Sequence, residues 1–136
     1  MKINIIYWSG TGNTEAMAKY IKAGAESAGA AVTLKHVSDA GASDLDCDVL
    51  ALGCPAMGAE VLEETEFEPF IASIEGKVTG KKLALFGAYG WGDGEWMRTF
   101  SARMRDAGAM LVRESLIANE APDAVACKAF GAQIAK

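Results

Sequence analysis

Ile3-Asn4-Ile5-Ile6-Tyr7-Trp8-Ser9-Gly10-Thr11-Gly12-Asn13-Thr14 is the stretch that decides the fold. Residues 3–8 are a short β-rich apolar run, and residues 9–14 are a cluster of hydroxyls, glycines and one amide. Residues 15–28 then carry Met17, Tyr20, Ile21, Gly24 and Ala28 at helical spacing, with Gly29 just past their end as a stop. Strand, small-residue loop and helix succeed one another directly, and the rest of the chain repeats that order.

Residues 32–37 alternate, Val32 and Leu34 against Thr33 and Lys35, as an edge strand with one wetter face does. Residues 48–53 are a continuous apolar run, the mark of a strand covered on both faces. A second helix is expected over 66–75 on Phe67, Phe70, Ile71 and Ile74, and another buried strand over 83–88 after Lys81-Lys82. A helix over 95–107 places Trp96, Met97, Phe100 and Met104 on one stripe; a fifth strand over 109–117 and a last helix over 123–136 complete the series. The pattern is βαβαβαβαβα, without repeat, linker or low-complexity segment. It predicts an α/β fold with a parallel sheet and helices on both faces, because parallel strands need crossovers and right-handed ones dominate. Placing the continuous runs in the middle and the alternating one at an edge gives strand order 2-1-3-4-5. In that order ligands bind beyond the carboxyl ends of strands one, three and four. The loops there, 9–14, 54–60 and 89–94, hold most of the unusual composition in the chain.

The bulk properties agree with one domain over residues 1–136, long enough to close its own core. No apolar run approaches the roughly 18 residues of a membrane span, and the amino-terminal residues do not open a signal peptide, so a cytoplasmic protein is expected. Cys47, Cys54 and Cys127 are widely spaced without a C-x-x-C, and His36 is the single histidine, which leaves neither a disulfide framework nor a metal site in view. A net charge of −5 argues against nucleic acid and favours steering toward a basic patch on a protein partner.

Each loop carries its own chemistry. Ser9, Gly10, Thr11, Gly12, Asn13 and Thr14 offer hydroxyls, an amide and backbone N–H groups at a helix N-terminus, with no charged side chain. That set suits an anion neutralised by the helix end alone, a monophosphate; the pattern is neither G-x-x-x-x-G-K-[ST] nor G-x-G-x-x-G. In Tyr89-Gly90-Trp91-Gly92-Asp93-Gly94 the glycines clear space beside one indole, and a flat aromatic ligand would supply the partner that ring lacks. Cys54-Pro55-Ala56-Met57-Gly58-Ala59-Glu60 faces it with Met57 as a soft apolar plate and Gly58 as a hinge. Monophosphate, flat ring and no catalytic base together point to FMN. Cys54, with no base or cation beside it, is expected to pack rather than react; Cys47, Cys127, Trp8 and Trp96 are expected to pack as well, and His36 to lie at the rim.

The segments YWSGTGNTEAMA, LGCPAMGAEVLEETEFEPF and LFGAYGWGDGEWM resemble the short-chain flavodoxins of anaerobic bacteria, and the similarity runs over essentially the whole chain. The resemblance implies a flavodoxin-like three-layer sandwich with a five-stranded parallel sheet. It implies a low-potential one-electron carrier of non-covalent FMN, shuttling between semiquinone and hydroquinone; it is an electron carrier and not an enzyme. It further implies that Ser9, Thr11, Asn13, Thr14 and the intervening amides bind the phosphate, and that Met57 and Trp91 cover the flavin faces. Glu60 would accept the ring N3–H, the Gly90 amide would sit near the pyrimidine edge, and the Gly58 carbonyl would turn to accept N5–H after reduction. The full expected set adds Gly10, Gly12, Pro55, Ala56, Ala59, Ala88, Tyr89 and Gly92. Redox-enzyme partners with basic docking surfaces, no nucleic acid, no membrane and a monomer complete the expectation.

Two features are candidate tuning devices. Glu60, Glu63, Glu64, Glu66 and Glu68 crowd one stretch without Lys or Arg, which would disfavour a reduced flavin anion by like charge, or else serve a helix N-terminus. A type II turn centred on Gly58-Ala59 in the reduced state would put Ala59 at φ > 0, a conformation an alanine adopts at a cost. Relatives often carry Ser where this chain has Ala88. A receiver domain is excluded by Cys54-Pro55 where its phosphoacceptor would stand, and a small tyrosine phosphatase by the missing C-x5-R. The alternatives are an FMN-dependent reductase of flavodoxin-like fold, acting on a quinone or NAD(P)H, and a flavin partner that activates a metal cofactor elsewhere.

Overall fold

The computed structural model describes residues 1–136. Six strands and four α-helices follow in the order β1 (Lys2–Tyr7), α1 (Asn13–Ser27), β2 (Ala31–His36), β3 (Val49–Gly53), α2 (Phe67–Ile74), β4 (Lys82–Tyr89), α3 (Glu95–Asp106), β5 (Met110–Leu111), β6 (Leu116–Asn119) and α4 (Ala124–Ile134). The expected strict βα alternation is corrected between β2 and β3, which are joined by two short 3₁₀ turns, Val37–Asp39 and Ala42–Leu45, and no α-helix. All pairings are parallel and the order is β2-β1-β3-β4-β5, with β6 also on β4. The continuous apolar runs, β3 and β4, stand in the middle and the alternating β2 stands at an edge, as their patterning predicts.

Strand alternation divides the core into two layers. Ile3, Ile5 and Tyr7 meet Met17, Ile21, Phe130 and Ile134 of α1 and α4 on one side. Ile6, Leu50, Leu52 and Leu85 meet Phe67, Phe70, Phe100 and Met104 of α2 and α3 on the other. Helices α1 and α4 cross at Gly24 and Gly131, where an added Cβ would collide with the Lys128 or Ile21 carbonyl. No helix is long and apolar enough to cross a membrane.

The expected fifth strand over 109–117 is corrected: two strands stand there. Leu111 pairs with Leu83, but Leu116 pairs with Phe86, so two residues on β4 face four on its neighbour. The surplus falls in 112–115, where Arg113, Glu114 and Ser115 offer no apolar face to bury. Both pieces lie against β4, so the layer order survives the interruption.

Candidate functional site

A cleft of about 270 Å³ opens at the carboxyl ends of β1, β3 and β4, where the strand order reverses. Of the residues expected there, Gly10, Thr11, Asn13, Pro55, Ala56, Met57, Ala88, Tyr89 and Gly90 line it. Ser9, Gly12, Thr14, Gly58, Ala59, Glu60, Trp91 and Gly92 do not line it.

The first loop folds around its own serine. Ser9 Oγ accepts from the Gly12 amide at 3.1 Å and the Glu15 amide at 3.3 Å, bending the chain into α1. Gly12 takes φ 100°, a left-handed conformation that a side chain resists. Thr14 turns inward: its Oγ1 accepts from the Ala88 amide at 3.3 Å and ties the loop to β4. No protein group accepts from the amides of Gly10, Thr11, Asn13 or Thr14. Those N–H groups, the Thr11 hydroxyl and the Asn13 amide form a donor set without a cation at the mouth of the cleft.

The second and third loops are fastened to each other. Trp96 Nε1 donates to the Cys54 carbonyl at 3.0 Å, and the Ala56 amide donates to the Ala88 carbonyl at 3.1 Å. Glu60 makes the main tie, its carboxylate accepting from the Asp93 and Trp96 amides at 3.1 Å each. Gly92 lies so close that a Cβ there would overlap the Glu60 carboxylate. Residues 57–61 form a small antiparallel turn in which the Met57 and Val61 amides exchange hydrogen bonds at 2.9 Å. Within that turn the positive φ angles belong to Gly58 (47°) and Glu60 (54°) and not to Ala59, so the strained non-glycine residue is Glu60. Trp91 is 57% exposed, an indole without a full partner in the protein.

The acidic run resolves into separate tasks. Glu63 is buried, and burial by itself would raise its carboxyl. Bonds from the Thr65 hydroxyl and from the Phe67, Thr65 and Glu66 amides outweigh that and pull it down to about 2. Glu66 accepts from Trp8 Nε1 at 3.2 Å, and Glu68 pairs with Arg103 at 2.6 Å. Negative charge near the cleft is instead contributed by Glu60, Asp93 and Glu95, whose carboxylate oxygens lie within 4.8 Å of one another, with Arg98 paired to Asp93 at 3.0 Å. Burial pushes the Cys54 thiol up to about 12 and the Cys127 thiol up to about 11; neither is a nucleophile.

Two cleft residues lie outside the set that the sequence predicts. Trp8, expected only to pack, packs and also lines the cleft, its ring closed over Gly10 at a distance a Cβ there would reduce to 3.0 Å. Glu120, at φ 61°, lines the cleft from the loop after β6, its amide donating to the Tyr89 carbonyl at 2.6 Å. The rule that ligands sit beyond the strand ends would have found it, had the last strand's loop been counted with the other three.

A family model described as flavodoxin matches residues 5–131. A flavodoxin from Clostridium beijerinckii is 52% identical over 98% of this chain and 99% of its own. One from Megasphaera elsdenii is 48% identical, with 98% of each chain covered. The solution structure of two-electron reduced Megasphaera elsdenii flavodoxin superposes with a TM-score of 0.91 at 47% identity, covering 98% of both chains.

Proposed function

The chain belongs to the flavodoxin family, and from that premise we propose how its residues divide the work of holding FMN. The protein is an FMN-carrying electron-transfer protein rather than an enzyme, and it works between redox partners. Bound FMN supplies the ability to take up and release electrons one at a time. Binding, orientation and tuning fall to the chain.

One observation carries the assignment. Carboxylates of the chain hold the first-turn amides of α2 (Glu63), α3 (Glu60) and α4 (Asp123), whereas at α1 no carboxylate accepts from a first-turn amide, Glu15 included. The open N-terminus is also the one at the cleft. The Gly10, Thr11, Asn13 and Thr14 amides, with the Thr11 hydroxyl and the Asn13 side chain, hold the phosphate, and the helix dipole balances its charge. Ser9 and Thr14 Oγ1 keep the loop in shape. Met57, with Pro55 and Ala56, covers one flavin face, and Trp91 between Gly90 and Gly92 covers the other. Ala88 and Tyr89 close the cleft floor. Glu60 keeps acceptor capacity beyond its two amide bonds and receives the ring N–H. The Gly58 carbonyl serves N5, with Ala59 completing the hinge. Glu60, Asp93 and Glu95 disfavour an electron-rich ring by like charge, so the second electron enters at low potential.

The whole chain acts as one FMN-binding domain, a cytoplasmic monomer whose acidic surface meets redox-enzyme partners that present basic docking surfaces. Titration of apo-protein with FMN, followed by reduction with dithionite, tests the reading. One yellow FMN per chain and two separate one-electron steps are expected. A colourless chain that leaves FMN free overturns it.

A further inference from the structure

Glu15 is the one acid in the first turn of α1, and it stands where an acid usually closes a helix. Gly12 is the N-cap and Asn13 the first helical residue, which makes Glu15 the third. From that position a glutamate commonly reaches back and accepts from the N-cap amide, since side chains on a helix lean toward its amino end. Glu15 is turned the other way. The Gly12 amide is held by Ser9 Oγ at 3.1 Å, and the Glu15 amide bonds the same oxygen at 3.3 Å. Oε2 of the Glu15 carboxylate accepts from the Tyr7 hydroxyl at 3.3 Å and lies 3.5 Å from Lys19 Nζ. Lys19 is four residues on, one turn toward the carboxyl end of α1, so the oxygen the two partners share is drawn down the helix and away from the cleft. The partners are unequal. The Lys19 and Glu15 side chains are 64% and 39% exposed, and so wet an ion pair holds a carboxylate only loosely. Tyr7 is 8% exposed, packs in the layer that α1 covers, and meets the His36 ring edge-on with centroids 5.4 Å apart. Burial first, and then Glu15 and Asp39, hold its phenol above the ordinary value of 10.0, so it remains a donor at neutral pH.

We infer that Tyr7 is a positioning residue: through its hydroxyl, with Lys19 beside it, it turns the Glu15 carboxylate aside and keeps the amino end of α1 open to the FMN phosphate. The inference rests on the FMN reading above. It gives the Tyr7 hydroxyl a task that packing does not require, because a phenylalanine ring would fill the same space. Without that hydroxyl the carboxylate is free to turn back onto the Gly12 amide and the unclaimed Asn13 amide. Its charge then opposes the phosphate at the one helix end that the chain leaves without a carboxylate. Riboflavin, which has the same ring and no phosphate, meets no such opposition. Tyr7 therefore bears on the preference for the phosphorylated flavin and not on the grip on the ring.

The test titrates apo-protein with FMN and with riboflavin, read by flavin fluorescence, in the wild type, Tyr7→Phe, Glu15→Ala and the double variant. Tyr7→Phe should weaken FMN about fivefold and leave riboflavin within about twofold. The double variant should bind FMN within about twofold of Glu15→Ala alone, because the carboxylate that Tyr7 restrains is gone. Lys19→Gln should weaken FMN less than Tyr7→Phe does, by about twofold. In ¹⁵N-labelled apo-protein the Gly12 and Asn13 amides should shift on Tyr7→Phe and return toward their wild-type positions in the double variant. Equal losses for FMN and riboflavin would assign the Tyr7 hydroxyl to packing and overturn the proposal. So would an FMN loss that persists in the double variant, or wild-type FMN binding in Tyr7→Phe. These outcomes leave the FMN reading standing, whereas a wild-type protein that binds neither flavin overturns that reading and the proposal together.

Discussion

Helices α1 and α2 begin with the same physical problem and solve it in opposite ways. Each presents first-turn amides without intrahelical partners and the positive end of a dipole. At α2 the chain supplies its own anion: Glu63 takes the Glu66 and Phe67 amides at 2.8 and 2.9 Å. At α1 it supplies only Ser9 Oγ, to the Gly12 and Glu15 amides, and leaves Asn13 and Thr14 unclaimed. In this chain the end of α2 is closed by a carboxylate, while the end of α1, at the cleft, is closed by a neutral group that leaves donors over for a ligand. The contrast marks α1 as the binding end because its free donors also stand at the cleft.

The largest effect should come from removing the internal anion. A carboxyl pulled from its ordinary value of 4.5 to about 2 contributes about 3 kcal/mol of stability at neutral pH. Because the shift is downward, that contribution is complete above about pH 4.5 and is lost as pH falls toward 2. Glu63→Gln should therefore be about 3 kcal/mol less stable at pH 7, and urea melts of the two proteins should converge near pH 2. A constant gap across that range would show that Glu63 acts through packing and not through its charge.

The converse change gives α1 the cap that α2 has. Ser9→Asp places a carboxylate on the Gly12 and Glu15 amides. Apo-protein should gain about 0.5 to 1 kcal/mol from the added cap, while FMN binding should weaken about thirtyfold, roughly 2 kcal/mol, through repulsion of the phosphate. Thermal melts and fluorescence titration with FMN read the two effects. Effects of the same sign would break the comparison.

The difference between α1 and α2 is half legible in the sequence. The hydroxyl-rich loop at 9–14 has no acid, and its composition alone argues for a phosphate held without charge. The α2 side is ambiguous there, because five glutamates in one stretch do not say which one turns back onto the helix; only the fold around Cys54 buries Glu63 and fixes its carboxylate. Strand order is legible because burial on both faces leaves continuous apolar runs in β3 and β4. The break between β5 and β6 is not, since a two-residue register shift leaves hydrophobicity nearly unchanged while moving every later pairing. Arg103 neutralises Glu68 from 35 residues away, a contact that no local pattern predicts.

Helix α3 lies between the two cases, capped by an acid from a different loop. Glu60→Gln keeps one carbonyl acceptor and loses the charge, so one of the two amides, Asp93 or Trp96, should lose hydrogen-exchange protection. Stability should fall by about 1 kcal/mol. Removing one charge from the Glu60, Asp93 and Glu95 group should also raise the second reduction potential. Unchanged protection at both amides would show that Glu60 is not the tie between the loops.

The smallest effect tests where the turn after Met57 keeps its strain. With φ 47° at Gly58 and 54° at Glu60, Ala59 sits in an ordinary conformation. In this geometry Ala59→Gly relieves nothing and should cost about 0.5 kcal/mol through the freer unfolded chain. Should electron uptake turn the peptide and pass the positive φ to residue 59, the same substitution removes about 1 kcal/mol of strain from the reduced protein alone. Since about 1.4 kcal/mol corresponds to 59 mV for one electron, the first potential would then rise by roughly 40 mV. Potentiometric titration of Ala59→Gly distinguishes the two: a raised first potential means the strain moves to Ala59 on reduction, and an unchanged one means that it stays with Glu60.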